Sequence, residues 1–377
     1  MDYITGIGRT KFGKLQESLP ELMALAIREA LLDSSLQPQD IQAAYITNFV
    51  GDSLVDQLHL GALLSSLLKT NIPATRIESA CASGGVGVLQ ARMALEQFDP
   101  VLVIGAEKMS TSSSPAVAKR LGTAGCALID QEVGLIFPAN YALMAQEHMR
   151  EYGTTSHDLA LIALKNHTNA RLNPLAHFYH KDVDLEMIED SPTVCSPLRL
   201  FDCSPISDGA VAVILSREQK HSHDPHFLAS TMATDSLSIV ERRDLTTFRA
   251  ATIASKKAYH QAECTAADID FAQVHDCFTI AELVAMEDLG FADAGRAAEY
   301  VRDNRFALSG DKPVNTDGGL KADGHPIGAS GVAQIYETVL QLRGQAEKRQ
   351  LDCARIGLTH NIGGAGGTCA IHILEGA

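Results

Sequence analysis

Four segments of the 377-residue sequence carry side chains that could move protons or form covalent bonds. The first, SACASGGVGVLQ at 79–90, places Cys81 among small residues just ahead of two glycines. Val86, Leu89 and Met93 follow at spacings of three and four, which predicts a helix with Cys81 at or just before its N-terminus. Unpaired N–H groups and the helix dipole favour negative charge there, lowering a thiol pKa and offering donors to an oxyanion. Cysteine is also a common buried residue, and glycines serve close packing. Taken alone, the segment reads as packing before it reads as chemistry.

The second segment, VHDCFTIAELVAMEDLGF at 274–291, has an apolar run ending at His275 or Asp276 and a helical pattern opening with Ile280, Leu283 and Val284. His275 and Cys277 therefore stand at a strand-to-helix bend, where open α/β sheets place ligand chemistry. Two residues apart, they could reach one cavity; equally, His275 could bond the backbone and Cys277 fill core. The third, NTDGGLKADGHPIGASG at 315–331, surrounds His325 with glycines that permit close backbone approach and stiffens the bend with Pro326. Val332, Ile335, Val339 and Leu340 continue as one helical face. The fourth, THNIGGAGGTCAIHIL at 359–374, is a glycine-rich bend between two apolar runs. Backbone N–H groups of Gly363 and Gly364 could face a cavity that His360 or Asn361 lines. Phosphate-loop and dinucleotide spacings are absent, and no ligand set stands at zinc spacing, so no metal site is expected.

Short β-branched runs at 44–50, 100–106, 210–216, 271–276, 355–360 and 369–374 alternate with helical patterns, which predicts α/β layering. The N-terminal MDYITGIGRTKFGK reads as a strand and turn. A polar stretch, EQKHSHDPH at 218–226, reads as the connection between two halves, and those halves carry a weak internal repeat: a reactive residue, a small-residue bend, a helix and a strand. About a hundred residues separate VIGAEKMS from SPISDGAVAVIL, more than a loop needs, and their helical patterns, including NYALMAQEHMREYG, predict a subdomain.

Composition bounds the function classes. The hydrophobic fraction is 46% and no apolar run is long enough to cross a bilayer, so a soluble protein is expected. A formal net charge of −15 argues against general affinity for nucleic acid. The start of the chain lacks the basic and apolar regions of a signal peptide, and the eight cysteines include no Cys-x-x-Cys pair, which predicts reduced thiols and a cytoplasmic setting.

In this order and spacing, VIGAEKMS, DCSPISDGAVAVIL, HDCF and GHPIGASG resemble the catalytic loops of the thiolase superfamily over nearly the whole chain. The nearest branch is that of sterol carrier protein X-type thiolases and prokaryotic acetyl-CoA acetyltransferases. The resemblance implies a five-layer α-β-α-β-α fold of two similar halves. The N-terminal half would span 1–115, completed by 191–217, and the C-terminal half 226–377. An inserted loop domain at 116–190 would help hold coenzyme A. It implies coenzyme A esters as substrates with no tightly bound cofactor, a homodimer or homotetramer, and, in some prokaryotic relatives, a small zinc-containing OB-fold partner.

By the same resemblance, Cys81 is the nucleophile that takes the acyl group and His325 its base. His275 completes an oxyanion site where common thiolases use an asparagine, and the N–H groups of Cys81 and Gly363 form a second one. Common thiolases carry an acid/base cysteine where this chain has Asn361, whose amide cannot exchange protons usefully at neutral pH. In the sterol-carrier branch that work falls to the cysteine of HDCF, here Cys277, while Cys369 reads as a strand residue. Arg242, Arg243 and Lys165 are candidates to meet coenzyme A phosphates, although such side chains are usually solvated surface. The expected activity is condensation or thiolysis of a 3-ketoacyl-CoA. Transfer to a non-CoA acceptor and a non-catalytic acyl-CoA or lipid-binding role are the alternatives.

Overall fold

The computed structural model describes residues 1–377. Its strands are β1 (Tyr3–Arg9), β2 (Ala43–Thr47), β3 (Ala74–Ile77), β4 (Val101–Glu107), β5 (Thr193–Cys195), β6 (Leu198–Arg199), β7 (Gly209–Ser216), β8 (His226–Thr234), β9 (Phe271–Val274), β10 (Ile356–Gly363) and β11 (Thr368–Glu375). Nine of them form one mixed sheet in the order β3-β2-β4-β7-β1-β8-β11-β10-β9, with β5 and β6 pairing separately.

That order contains a repeat. From the seam outward, β1 lies antiparallel to β7, β7 antiparallel to β4, β4 parallel to β2 and β2 parallel to β3. On the other side β8 lies antiparallel to β11, β11 antiparallel to β10, β10 parallel to β9, and a parallel bridge from Ala272 to Val314 takes the place of the fifth strand. Within the sheet, the register between the two halves is the single pair Tyr3–His226. The polar 218–226 stretch spans the seam between β7 and β8.

Alternation along the strands sets the layers. Val101 and Val103 of β4 pack with Val88, Val332 and Ile335 of the helices Ser83–Ala94 and Ile327–Leu342, while Leu102 and Ile104 pack with Leu22 and Leu64 on the opposite face. In the second half Ile371 and Ile373 of β11 face Ala254 and Leu283 of the outer helices Arg249–Ala262 and Thr279–Asp288. Both central helices touch strands of both halves, giving α-β-α-β-α layering. No helix is long and apolar enough to cross a membrane.

The expected face of the first central helix needs correction. Met93 is 61% exposed and Leu89 only half-buried, whereas Val86 is buried as expected, in company with Gly84, Gly85, Val88 and Ala91. A Cβ at Gly84 would stand 2.7 Å from the Cα of Gly331, so the two central helices cross backbone to backbone. The apolar spacing found the helix, but at the crossing itself the residues that pack are glycines.

Between β4 and β7 in the chain, the helices Phe137–Tyr152 and Ser156–Ala170 both pack against helix Thr279–Asp288. Gly153, at φ +76°, ends the first, and the reciprocal bonds of Thr155 with Asp158 start the second.

Candidate active site and family membership

Cys81 sits in a forced bend between β3 and the first central helix. Ala80 adopts φ +49°, uncommon for a residue with a Cβ, and Ser83 clamps the turn by accepting from the N–H of Ser79 and donating to the carbonyl of Ala80. The helix begins at Ser83, so Cys81 stands two residues ahead of it. His325 occupies the matching position in the second half, two residues ahead of the helix at Ile327. Its loop needs glycine at position 319, where φ is +61° and a Cβ would lie 2.3 Å from a carboxylate oxygen of Asp276.

Asp276 ties the second and third sequence segments together, accepting from the N–H groups of Leu320 and Lys321 and from the amide of Asn166. Glu107 does the same between the halves, accepting from Asn48, from the N–H groups of Phe49 and Val50, and from Gly328 just after His325. Sequence reading missed both carboxylates. Each stands beside a singled-out residue or motif, but nothing in the sequence says which distant N–H groups it caps.

The fold brings the reactive atoms of Cys81, His275 and His325 within 4.8 Å of one another. All three are buried, and the rings of His275 and His325 meet edge to face at 5.3 Å. Three such groups resemble a cation site in number. One of them is a thiol two residues ahead of a helix, next to a residue at φ +49°, and no other cluster of potential ligands is gathered this closely.

Asn361 fixes the proton on His275. Its Oδ1 accepts from the N–H of Gly85 at 3.0 Å, so its Nδ2 must be the atom that donates to the carbonyl of Cys81 at 3.0 Å and to Nδ1 of His275 at 3.3 Å. The hydrogen of His275 therefore lies on Nε2, a buried atom with no protein partner. Such an N–H is a donor waiting for an oxygen. His360 touches the centre through His275, its Nδ1 accepting from the backbone N–H of that residue.

His325 is held through Nδ1 by the hydroxyl of Ser330 at 2.7 Å, and that hydroxyl also reaches the carbonyl of Pro326 at 3.0 Å. With the hydroxyl proton on Pro326, Nδ1 of His325 keeps its hydrogen and Nε2 is left as a lone pair.

Burial reverses the electrostatic expectation for Cys81. It pushes the thiol up to about 12, with Glu107 and Glu78 adding to the rise, and donation from the N–H of Gly364 and from the residue's own N–H offsets this only in part. Burial likewise pushes His325 down to about 3. A lone thiolate and a lone imidazolium are both penalised here, whereas the pair formed by passing one proton between them neutralises itself. The resting site is thus thiol plus neutral imidazole.

The donor that meets the Cys81 sulfur is Gly364, at φ +62°, one residue beyond Gly363. Gly363 itself ends β10, and a Cβ there would lie 2.5 Å from the carbonyl of Ser79, which keeps this turn tight against the nucleophile bend. Cys277 is buried, its thiol raised by burial and by the nearby Cys81, and Tyr141 of the helix Phe137–Tyr152 donates from its hydroxyl to the carbonyl of Gly364 at 2.9 Å. Cys369 is a fully buried strand residue in β11.

Two candidates for phosphate contact point inward. The Arg242 guanidinium is bound to the carbonyls of Ala365 and Ser236, and the Lys165 ammonium to Glu282, Asn166 and the carbonyl of Val314. Arg243 is exposed.

Residues 3–219 match the thiolase N-terminal domain and residues 231–376 the thiolase C-terminal domain-like family. The chain belongs to the thiolase family. Among curated proteins, this thiolase is 42% identical to an acetyl-CoA acetyltransferase of Methanothermobacter thermautotrophicus over 99% of its own length and 98% of the relative's. It is 33% identical to the benzoylsuccinyl-CoA thiolase subunit BbsB of Thauera aromatica, over 96% and 94%. Sterol carrier protein 2 of Bos taurus is also 33% identical, over 96% of this chain and 70% of that one. Among solved structures, an Ltp2-ChsH2(DUF35) aldolase superposes with a TM-score of 0.87 at 25% identity, covering 100% of this thiolase and 97% of that chain.

Proposed function

We propose that this thiolase transfers acyl groups from coenzyme A thioesters through an acyl-Cys81 intermediate, then condenses that acyl group with a second acyl-CoA, or runs the reverse thiolysis. The observation that carries the reading is the convergence of Cys81, His275 and His325 within 4.8 Å at the junction of the two halves. A nucleophile, a base with a free nitrogen and an unpartnered N–H donor around one point are the parts acyl transfer requires. The sequence relationship to an acetyl-CoA acetyltransferase supports acetyl-CoA as donor.

The roles follow from proton bookkeeping. His325 takes the Cys81 proton as the sulfur attacks the thioester carbon. The developing oxyanion is met by backbone N–H groups, with those of Cys81, Gly363 and Gly364 as the candidates. Coenzyme A then leaves as a thiolate needing a proton. Buried Cys277 begins as a thiol, so it can supply that proton and only afterwards act as a base. It next removes a proton from the α-carbon of the second acyl-CoA, while Nε2–H of His275 supports the thioester oxygen as it gains enolate charge. The resulting carbanion attacks acyl-Cys81 and releases the 3-ketoacyl product, while the expelled Cys81 thiolate recovers its proton from His325.

The region 116–190 is the proposed loop domain for coenzyme A, with the exposed Arg243 as the remaining charged candidate near the phosphates. Intact mass after brief exposure to acetyl-CoA tests the central claim. Wild type gains one acetyl group and Cys81→Ala gains none; an adduct that persists in the variant would remove Cys81 as nucleophile.

A second reading keeps acyl-Cys81 but passes the group to another acceptor in company with a partner protein. It is favoured by the similarity to a chain in an Ltp2-ChsH2(DUF35) aldolase. Acetylation of Cys81 without ketoacyl-CoA turnover, with turnover restored by a small OB-fold partner, would select it.

A further inference from the structure

The hydroxyl of Tyr141, on helix Phe137–Tyr152, reaches the turn at Gly364. The side chain is 1% exposed and its ring stacks on Phe278 at 4.6 Å with an interplanar angle of 25°. Phe278 is the immediate neighbour of Cys277. The hydroxyl donates to the Gly364 carbonyl at 2.9 Å, and the stacking of its ring on Phe278 sets it beside the neighbouring Cys277, close enough for the two groups to act on each other's protonation.

We propose that Tyr141 is a positioning residue for the second half-reaction, its hydroxyl turning from the Gly364 carbonyl to the Cys277 sulfur when that sulfur loses its proton. The inference rests on the reading above, in which Cys277 alternates between thiol and thiolate. While Cys277 is a thiol, Gly364 is the better acceptor. Once its proton has gone to departing coenzyme A, the sulfur is an anion in a buried site and a hydrogen bond to it is charge-assisted. When Cys277 takes the α-proton of the second substrate, the hydroxyl, which has kept its own hydrogen throughout, returns to Gly364. The switch leaves the ring stacked in place.

The groups facing Cys277 leave this task to Tyr141. Cys81, from the nucleophile bend, and Asp276, from its own loop, both oppose a thiolate. Cys203 lies alongside, on the loop whose backbone pairs with Phe278. The N–H of Phe278 assists, and Arg242 acts on the Tyr141 hydroxyl from the turn beyond.

The test follows deuterium from D2O into the α-carbon of acetyl-CoA, which reads the Cys277 base directly, across a range of pH. Tyr141→Phe keeps the ring and should still acetylate at Cys81, but exchange should slow roughly 10- to 100-fold, the worth of one hydrogen bond to a charged group, with its pH profile displaced to the alkaline side. Placing 3-fluorotyrosine at 141 retains the ring and strengthens the donor, so the profile should move to the acid side. A purely structural role would not give opposite displacements. Wild-type exchange with an unmoved profile in both variants overturns the inference alone. Wild type that neither acetylates nor exchanges overturns the underlying reading and the inference with it. If Tyr141→Phe fails to fold, the fluorotyrosine protein decides by the same displacement.

Discussion

The bends at Cys81 and at His325 are the same piece of architecture used for different chemistry. Each follows the edge position of its half-sheet, each stands two residues before a central helix, and the two helices cross at Gly84 and Gly331. Yet one bend carries the proposed nucleophile, a thiol pushed up by burial, and the other the proposed base, an imidazole pushed down by it. The difference teaches how a duplicated half becomes half of an active site. Symmetry brings two equivalent bends to one point, and in the proposed reaction a single residue at each decides which gives a proton and which takes it.

The sharpest way to break the comparison is to remove the nucleophile while keeping the bend. Cys81→Ser preserves size and the Ser83 clamp, and turnover in a ketoacyl-CoA assay should fall at least about 10⁴-fold with no acyl adduct detectable by mass. Turnover within tenfold of wild type would mean that the two bends are not divided as described. His325→Ala should slow Cys81 acetylation roughly 10² to 10⁴-fold in single-turnover mass measurements. Because Ser330 and Pro326 remain, the helix should start unchanged, so unaltered acetylation would assign the base elsewhere.

A smaller effect sharpens the geometric side. Gly331→Ala puts a methyl group 2.5 Å from the backbone nitrogen of Gly85 and 2.2 Å from Oδ1 of Asn361. It should cost about 1–3 kcal/mol of stability by chemical denaturation. An alanine accepted at no cost would show that the helices do not need to touch. The smallest effect expected is none at all. A group whose folded pKa is depressed to about 3 is deprotonated throughout the neutral range, so His325 is a competent base well below the usual imidazole value. The acetylation rate should therefore show no acid limb near pH 6.5, and an inflection there would place His325 in a more solvated setting than its burial implies.

Much of this was legible from residue order. The runs at 44–50, 100–106, 210–216, 271–276, 355–360 and 369–374 correspond to β2, β4, β7, β9, β10 and β11, because strands buried on both faces read as plain apolar stretches. β3 escaped notice: ATRI is four residues long, lies at the sheet edge and carries Arg76. β8 did so as well, since HFLASTMAT mixes small and polar residues against helix Arg249–Ala262. At the site, the reactive residues were visible as unusual types beside glycine bends. Their settings were not. The rise of the Cys81 thiol comes from burial and from the charge of distant Glu107, the orientation of His275 from an amide 86 residues away, and the engagement of Arg242 and Lys165 from partners far along the chain. Spacing along a chain cannot report depth.

The bare crossing of the central helices has a mechanical consequence. Where helices meet through long side chains, every contact has rotamers, and the gap between the backbones can breathe as they change on the picosecond to nanosecond scale. A glycine crossing has no rotamers to change. Cys81 and His325 each hang two residues from a helix pinned in this way, so the crossing acts as a fixed gauge: outer layers and surface loops can drift in sequence while the reach from sulfur to imidazole stays the same.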